Sequence, residues 1–148
     1  MHTNIFRQAA CVIMLCMMGS SAANNTTVPL APCPDSPNCV SSLASGSDRE
    51  HYVAPFSFSG DPAAAWQQLR TAVLAEKRVT IVEEKEDYLH AEMRSLIFRF
   101  VDDVEFSLDA DAGLINVRSA SRVGYSDFGV NRKRVERIRT AFDSQPAG

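Results

Sequence analysis

Between residues 79 and 122 apolar side chains recur at every second position, and that period confines the chain to folds built on a sheet. Val79 and Ile81 alternate with Thr80 and Val82 in a first strand. Leu89, Ala91 and Met93 alternate with Tyr88, His90, Glu92 and Arg94 in a second. Phe98, Phe100, Val104, Phe106 and Leu108 continue on one parity and predict a third strand, with a bulge or bend where Asp102 and Asp103 interrupt it. Residues 114–122 return as a fourth. Polar turn formers separate these runs at Lys85, Glu86 and Asp87 and again at residues 109–113, where Gly113 supplies a positive φ.

The flanks add two helices and one more strand. Residues 52–58 place Phe56 and Phe58 on one face of a short strand, which Pro55 assigns to a sheet edge. Asp61 then caps a helix with Pro62 at its first position, and Trp66, Leu69 and Val73 fall at helical spacing on one stripe. Trp66 reads as a core anchor, with a ligand-facing tryptophan as the alternative. A last helix starting at Ser126 or Asp127 would lay Phe128, Val135, Ile138 and Phe142 on the sheet. The expected architecture is α+β: a single domain with an antiparallel sheet of about five strands, both helices on one face, in the order β-α-β-β-β-β-α.

Ahead of the domain lies an export signature. Residues 1–8 carry Arg7 and no acid, residues 9–18 are apolar, and Gly19, Ser20, Ser21, Ala22 and Ala23 offer a small-residue cleavage site, so residues 1–23 read as a signal peptide. The apolar run falls well short of the ~20 residues that a spanning helix needs, and no transmembrane helix is expected in the mature chain. Cleavage removes Cys11 and Cys16 and leaves Cys33 and Cys39, with five residues between them. In an oxidising compartment such a pair reads as a disulfide rather than as half of a zinc site. Residues 24–50 are therefore an extended segment holding the Cys33–Cys39 loop, residues 51–143 the α+β domain, and residues 144–148 a tail. The sequons at Asn24 and Asn25 are incidental in a bacterial host. A periplasmic or secreted location follows.

Function is less constrained. The net charge of −3 and pI near 5.6 argue against nucleic acid as a partner. Charge is nevertheless uneven, because residues 83–111 hold ten acids and three basic residues, whereas Arg132, Lys133, Arg134, Arg137 and Arg139 crowd the last helix. That helix is either a solvated face bridged to the sheet or part of a site. Arg118 and Arg122 share strand parity, and a turn through residues 124–127 would bring Arg122 close to Tyr125, Asn131 and Arg132. Arg118, Arg122, Tyr125, Asn131 and Arg132 thus form a candidate corner for an anionic ligand or an acidic protein partner. Pairing of Arg122 with Asp102 or Asp103 is the competing reading.

Signals for catalysis are weak. His51 and His90 lack motif partners and no nucleophile elbow exists. Asp102, Asp103 and Glu105 lack the spacing of a known metal loop, so neither a metal nor a cofactor is expected. A non-catalytic binding or interaction module of the cell envelope is the leading expectation. A hydrolase-like enzyme and a carrier of a small apolar ligand, its mouth bordered by residues 96–100, are the alternatives.

Two stretches carry a resemblance. Cys33-Pro-Asp-Ser-Pro-Asn-Cys-Val-Ser-Ser, and Phe98-Arg-Phe-Val-Asp-Asp-Val-Glu-Phe followed by Arg118-Ser-Ala-Ser-Arg-Val-Gly-Tyr-Ser-Asp-Phe-Gly-Val-Asn-Arg-Lys-Arg, resemble the domain-of-unknown-function family DUF1499 of exported bacterial proteins and plastid relatives. The similarity spans residues 32–142. It implies one extracytoplasmic domain and carries over no catalytic residue.

Overall fold

The computed structural model describes residues 29–145. The expected signal segment, the sequons at Asn24 and Asn25, and residues 146–148 of the tail lie outside the described residues. In chain order the elements are β1 (Cys39–Ser41), β2 (Phe56–Ser57), α1 (Pro62–Leu74), β3 (Val79–Glu84), β4 (Tyr88–Arg94), β5 (Val101–Asp109), β6 (Leu114–Ser121) and α2 (Val130–Asp143). The sheet runs β1-β6-β5-β4-β3, and β2 joins β1 on the outer side of β6. All the strand pairs are antiparallel.

The α+β class, the two helices and the four-strand meander stand as expected. The sheet has six strands because β1 adds to it. At three residues β1 is too short to display a period, and it is fixed instead by its register, with Cys39 opposite Ala120 and Ser41 opposite Arg118. The Cys33–Cys39 disulfide forms at its start.

One core lies between helices and sheet. Leu89, Ala91 and Met93 of β4, Val104 and Phe106 of β5, and Ile115 and Val117 of β6 point to the same face. Trp66, Leu69 and Val73 of α1 and Val135, Ile138 and Phe142 of α2 bury that face, so both helices cover one side. Asp61 starts α1 as expected, its carboxylate accepting from Ala63 N and Ala64 N with Pro62 in the first turn. Trp66 is a core residue, 4% exposed.

Three local expectations differ from the structure. Strand β5 is continuous through Asp102 and Asp103. Consecutive strand residues project to opposite faces, so Asp102 turns towards α2 and Asp103 to the open face, and no bend is needed to separate them. The irregularity falls instead between Ile81 and Glu83, where Val82 has no opposite residue on β4. With Glu83 and Glu84 beside it, that bulge blunts the free β3 edge against pairing with another chain. Phe98 and Phe100 precede β5 and are exposed in the β4–β5 turn, outside the core. Helix α2 begins at Val130, later than expected, because Phe128 and Gly129 both take positive φ, at 53° and 74°. Phe128 is consequently exposed, and the buried stripe of α2 is Asn131, Arg134, Val135, Ile138 and Phe142.

Candidate functional site

The face of the sheet away from the helices is a plate of paired charges. On β4, β5 and β6 the outward positions supply Tyr88, His90 and Glu92, then Asp103 and Glu105, then Arg118. Arg122, just past β6, donates from Nε and Nη2 to the two oxygens of Asp103, each at 2.8 Å, and from Nη2 to Glu92 Oε1 at 2.6 Å. His90 Nε2 lies 2.7 Å from Asp103 Oδ1. One row away, Tyr88 Oη donates to Glu105 Oε1 and Arg118 Nη1 to Glu105 Oε2, both at 2.8 Å.

Glu92 and Asp103 sit directly opposite each other, a repulsive placement that Arg122 neutralises. Arg122, assisted by Arg94, holds the Glu92 carboxyl below the usual range. Burial pushes Asp103 upwards, but Arg122 and His90 outweigh it and the net shift is downward. Burial, reinforced by Glu105, raises the Tyr88 phenol well above its ordinary value. Every carboxylate here is matched to a donor, an arrangement that clamps strands β4, β5 and β6 to one another. Asp102 faces the other way, so the three acids 102, 103 and 105 do not converge.

The residues of the expected corner go to separate places. Arg118 and Arg122 belong to the plate. Tyr125 stands exposed in the β6–α2 loop. Asn131 is fully buried between α2 and the sheet, where Oδ1 accepts from Ser119 Oγ and Arg134 Nη1, and Nδ2 donates to Asn38 O and Ser121 Oγ. Arg132 reaches back to the entry loop and donates to the carbonyls of Arg49, Glu50 and Tyr52. Its neighbours on α2 are occupied too. Arg137 chelates Glu76, Arg134 pairs with Asp102 inside the fold, and Arg139 donates to the carbonyls of Ala54 and Pro55 while its guanidinium lies 4.4 Å above the Phe56 ring.

Asn38 ties the disulfide loop to this corner. Its Nδ2 donates to Gly124 O at 2.6 Å, and its carbonyl accepts from Ser121 N and Asn131 Nδ2 at 3.0 Å each. Buried asparagines at 38 and 131 thereby fix the point where β6 turns into α2. Sequence reading missed Asn38 because its loop shows no period. The burial of Arg134 was missed as well, although a signal existed: 131, 134, 135, 138 and 142 form a single helical stripe on which a charge must find a buried partner.

A second clamp holds the entry loop. His51 is buried, with Nδ1 2.8 Å from Asp48 Oδ2 and Nε2 3.3 Å from Ser36 O. Both neighbours are acceptors, so the imidazolium satisfies them better than either neutral tautomer. The Asp48 hydrogen bond raises the His51 pKa against the opposing effect of burial, and the His51 hydrogen bond lowers that of Asp48. A raised histidine stabilises fully below its unfolded value of about 6.5 and loses that contribution as pH rises through its folded value. A lowered aspartate stabilises above its unfolded value of about 4 and loses its contribution as pH falls through its folded value. The clamp is therefore strongest between about pH 4 and pH 6.5. Urea midpoints measured from pH 6 to pH 8.5 are expected to fall for the wild type and to stay flatter for His51→Gln.

One end of the molecule differs in character. The β4–β5 turn exposes Leu96, Ile97, Phe98 and Phe100, with Ile97 79% accessible and the Phe98 and Phe100 rings stacked at 5.5 Å. Ser95 N donates to Phe100 O and Phe100 N to Ser95 Oγ, both at 2.9 Å, which closes the neck of the turn. The neighbouring β6–α2 loop adds Val123, Tyr125 and Phe128, and the first residue of α2 adds Val130, all exposed. A groove of about 620 Å³ runs between the β4–β5 turn, the end of α1 and the start of α2, lined by Met93, Leu96, Val130, Lys77, Arg78 and the Asp102–Arg134 pair among others. Among the described residues the three non-glycine positions with positive φ, Arg78, Arg99 and Phe128, all flank this end.

Fold and surface together define a single α+β domain with a self-neutralised plate on one side and an apolar end bordered by cations. The chain belongs to the DUF1499 family, described as a protein of unknown function, whose profile matches residues 29–142. No curated protein matches it.

Proposed function

We propose that this protein is a non-catalytic binding module of the cell envelope, and that its working surface is the apolar end formed by residues 95–100 and 123–130. The observation that carries this reading is a contrast among its hairpin turns. Those after β3 and β5 use Lys85, Glu86 and Asp87, and Asp109 to Gly113, the polar and glycine residues that turns favour. The turn after β4 uses Leu96, Ile97, Phe98, Arg99 and Phe100, and a residue with a side chain, Arg99, takes the positive φ that glycine would take at no cost. Local rules broken without a packing gain mark functional positions. The Cys33–Cys39 disulfide supports an oxidising, extracytoplasmic setting.

In this reading Tyr125 contacts the bound partner. Arg118, Arg122, Asn131 and Arg132, already committed to internal acceptors, hold the loops in position. A photo-crosslinking side chain placed at Ile97 in the full chain, in its own envelope, is expected to give adducts that the same group at Glu86 does not give. Equal labelling at both positions, or none at either, would overturn the proposal.

A further inference from the structure

Given that binding reading, we infer that the partner of the apolar end is an anionic lipid surface, into which the β4–β5 turn inserts. The turn is a protrusion and not a pocket. Leu96, Ile97, Phe98 and Phe100 present apolar surface from a narrow hairpin whose neck closes its own hydrogen bonds, as hydrocarbon demands of any backbone brought to its edge. Side chains of this kind partition to the boundary between headgroups and acyl chains.

Charge supplies the complementarity. Arg99 sits within the turn, and Lys77 and Arg78 border the groove beside Leu96. Among the described residues none of these three is in an ion pair with a carboxylate, whereas Arg94, Arg122 and Arg137 all are. At the other end of the same strands Glu83 and Glu84, which close β3, pair with Lys85 and Arg70, and beyond them Glu86 and Asp87, with Asp109 and Asp111 at the next turn, are in no ion pair among the described residues. The long axis of the sheet therefore carries a charge separation. Near a negative surface it turns the cationic, apolar end inwards and the acidic end to solvent. Two copies meeting end to end through their apolar turns would bring like charges together, which disfavours a symmetric dimer through this patch. An acidic protein would satisfy the cations but leave a convex group of aliphatic and aromatic side chains without a matching cavity.

The test is co-sedimentation of the oxidised chain from residue 24 onward, the form left by the expected signal cleavage, with vesicles of phosphatidylcholine alone or with phosphatidylglycerol mixed in, across a salt series. Wild type is expected to bind the phosphatidylglycerol vesicles at least tenfold more tightly than the neutral ones and to lose affinity as salt rises. The Ile97→Asp, Phe98→Asp variant is expected to lose at least tenfold, with a far-ultraviolet spectrum and melting curve like those of wild type. Arg99→Glu should abolish the preference for anionic lipid, and Gln67→Ala, an exposed uncharged position on α1, should leave binding unchanged. No binding to either vesicle at low salt, or binding that the Ile97→Asp, Phe98→Asp variant retains in full, would overturn the inference. So would pelleting without vesicles, which would mark attachment of the acidic end of one copy to the cationic end of another. Protein adducts from position 97 alongside absent vesicle binding would refute the lipid partner and leave the binding module standing. Absence of both would remove the two together.

Discussion

Arg134→Ala is expected to cost about 3–5 kcal/mol, because it leaves Asp102 charged, buried and without its counterion. Both side chains are almost enclosed, at 7% and 8% exposure. The guanidinium also serves Asn131 Oδ1 and Ser119 Oγ, so its loss strips a donor from the asparagine that anchors α2 to β6. A domain of this size has about 5–15 kcal/mol in total, so the variant would be marginal. Asp102→Ala should cost a similar amount for the reciprocal reason. Replacing both, Arg134→Met with Asp102→Leu, is expected to recover most of the loss, since a buried pair exchanged for apolar groups of similar volume is often neutral. Urea unfolding of the three variants measures this, and additive losses in the double variant would refute it.

Phe56→Ala is expected to cost about 3–5 kcal/mol, the range for emptying an aromatic site in a core. Strand β2 has two residues, too few to hold itself on β6 by backbone bonds alone, and Phe56 secures it. Its ring meets Phe106 and Phe142 edge-on at 5.8 and 5.6 Å, and Arg139 closes the remaining face. Phe98→Ala, which truncates an exposed ring, is expected to change stability by no more than about 0.5 kcal/mol. Thermal melts of the two variants side by side separate an aromatic that builds the fold from one that only decorates its surface.

These two phenylalanines also show where the amino-acid sequence was informative. Period alone placed Phe106, Val104 and Leu89 in the core correctly, because a sheet with one buried face imposes a strict alternation. The same parity extended over Phe98 and Phe100 led to a strand that the structure ends at Val101. Alternation records which side a residue would face in a strand; it does not record where the strand stops, and here no turn former marks the stop. Asp61 and Pro62 defined the start of α1 because capping is a local reaction between adjacent groups. The start of α2 depends on left-handed backbone at Phe128 and Gly129, which local preference does not dictate for phenylalanine.

The candidate corner was legible as charge and illegible as geometry. Arginines at 118, 122 and 132 were visible, but their partners lie across strands or in the entry loop: Glu105, the Asp103 and Glu92 pair, and carbonyls some eighty positions away. Non-local acceptors, backbone carbonyls above all, leave no mark in the order of residues. What the sequence did carry was the imbalance itself, ten acids in residues 83–111 against the cations of the last helix, of which Arg132, Arg134, Arg137 and Arg139 are taken up by internal acceptors.

The short strand β1 has a consequence in time. A chain made from its N-terminus produces Cys39 long before Ala120, the residue it must sit beside, and Asn38 is 93 positions from the Asn131 amide it receives. The sheet edge therefore waits for nearly the whole chain, and a pairing so distant in sequence is slow to find. The Cys33–Cys39 ring spans a separation of six and needs nothing that comes later. It can close while the rest is still being made, so that Asn38 arrives at the finished hairpin already bent into the shape in which it will be held.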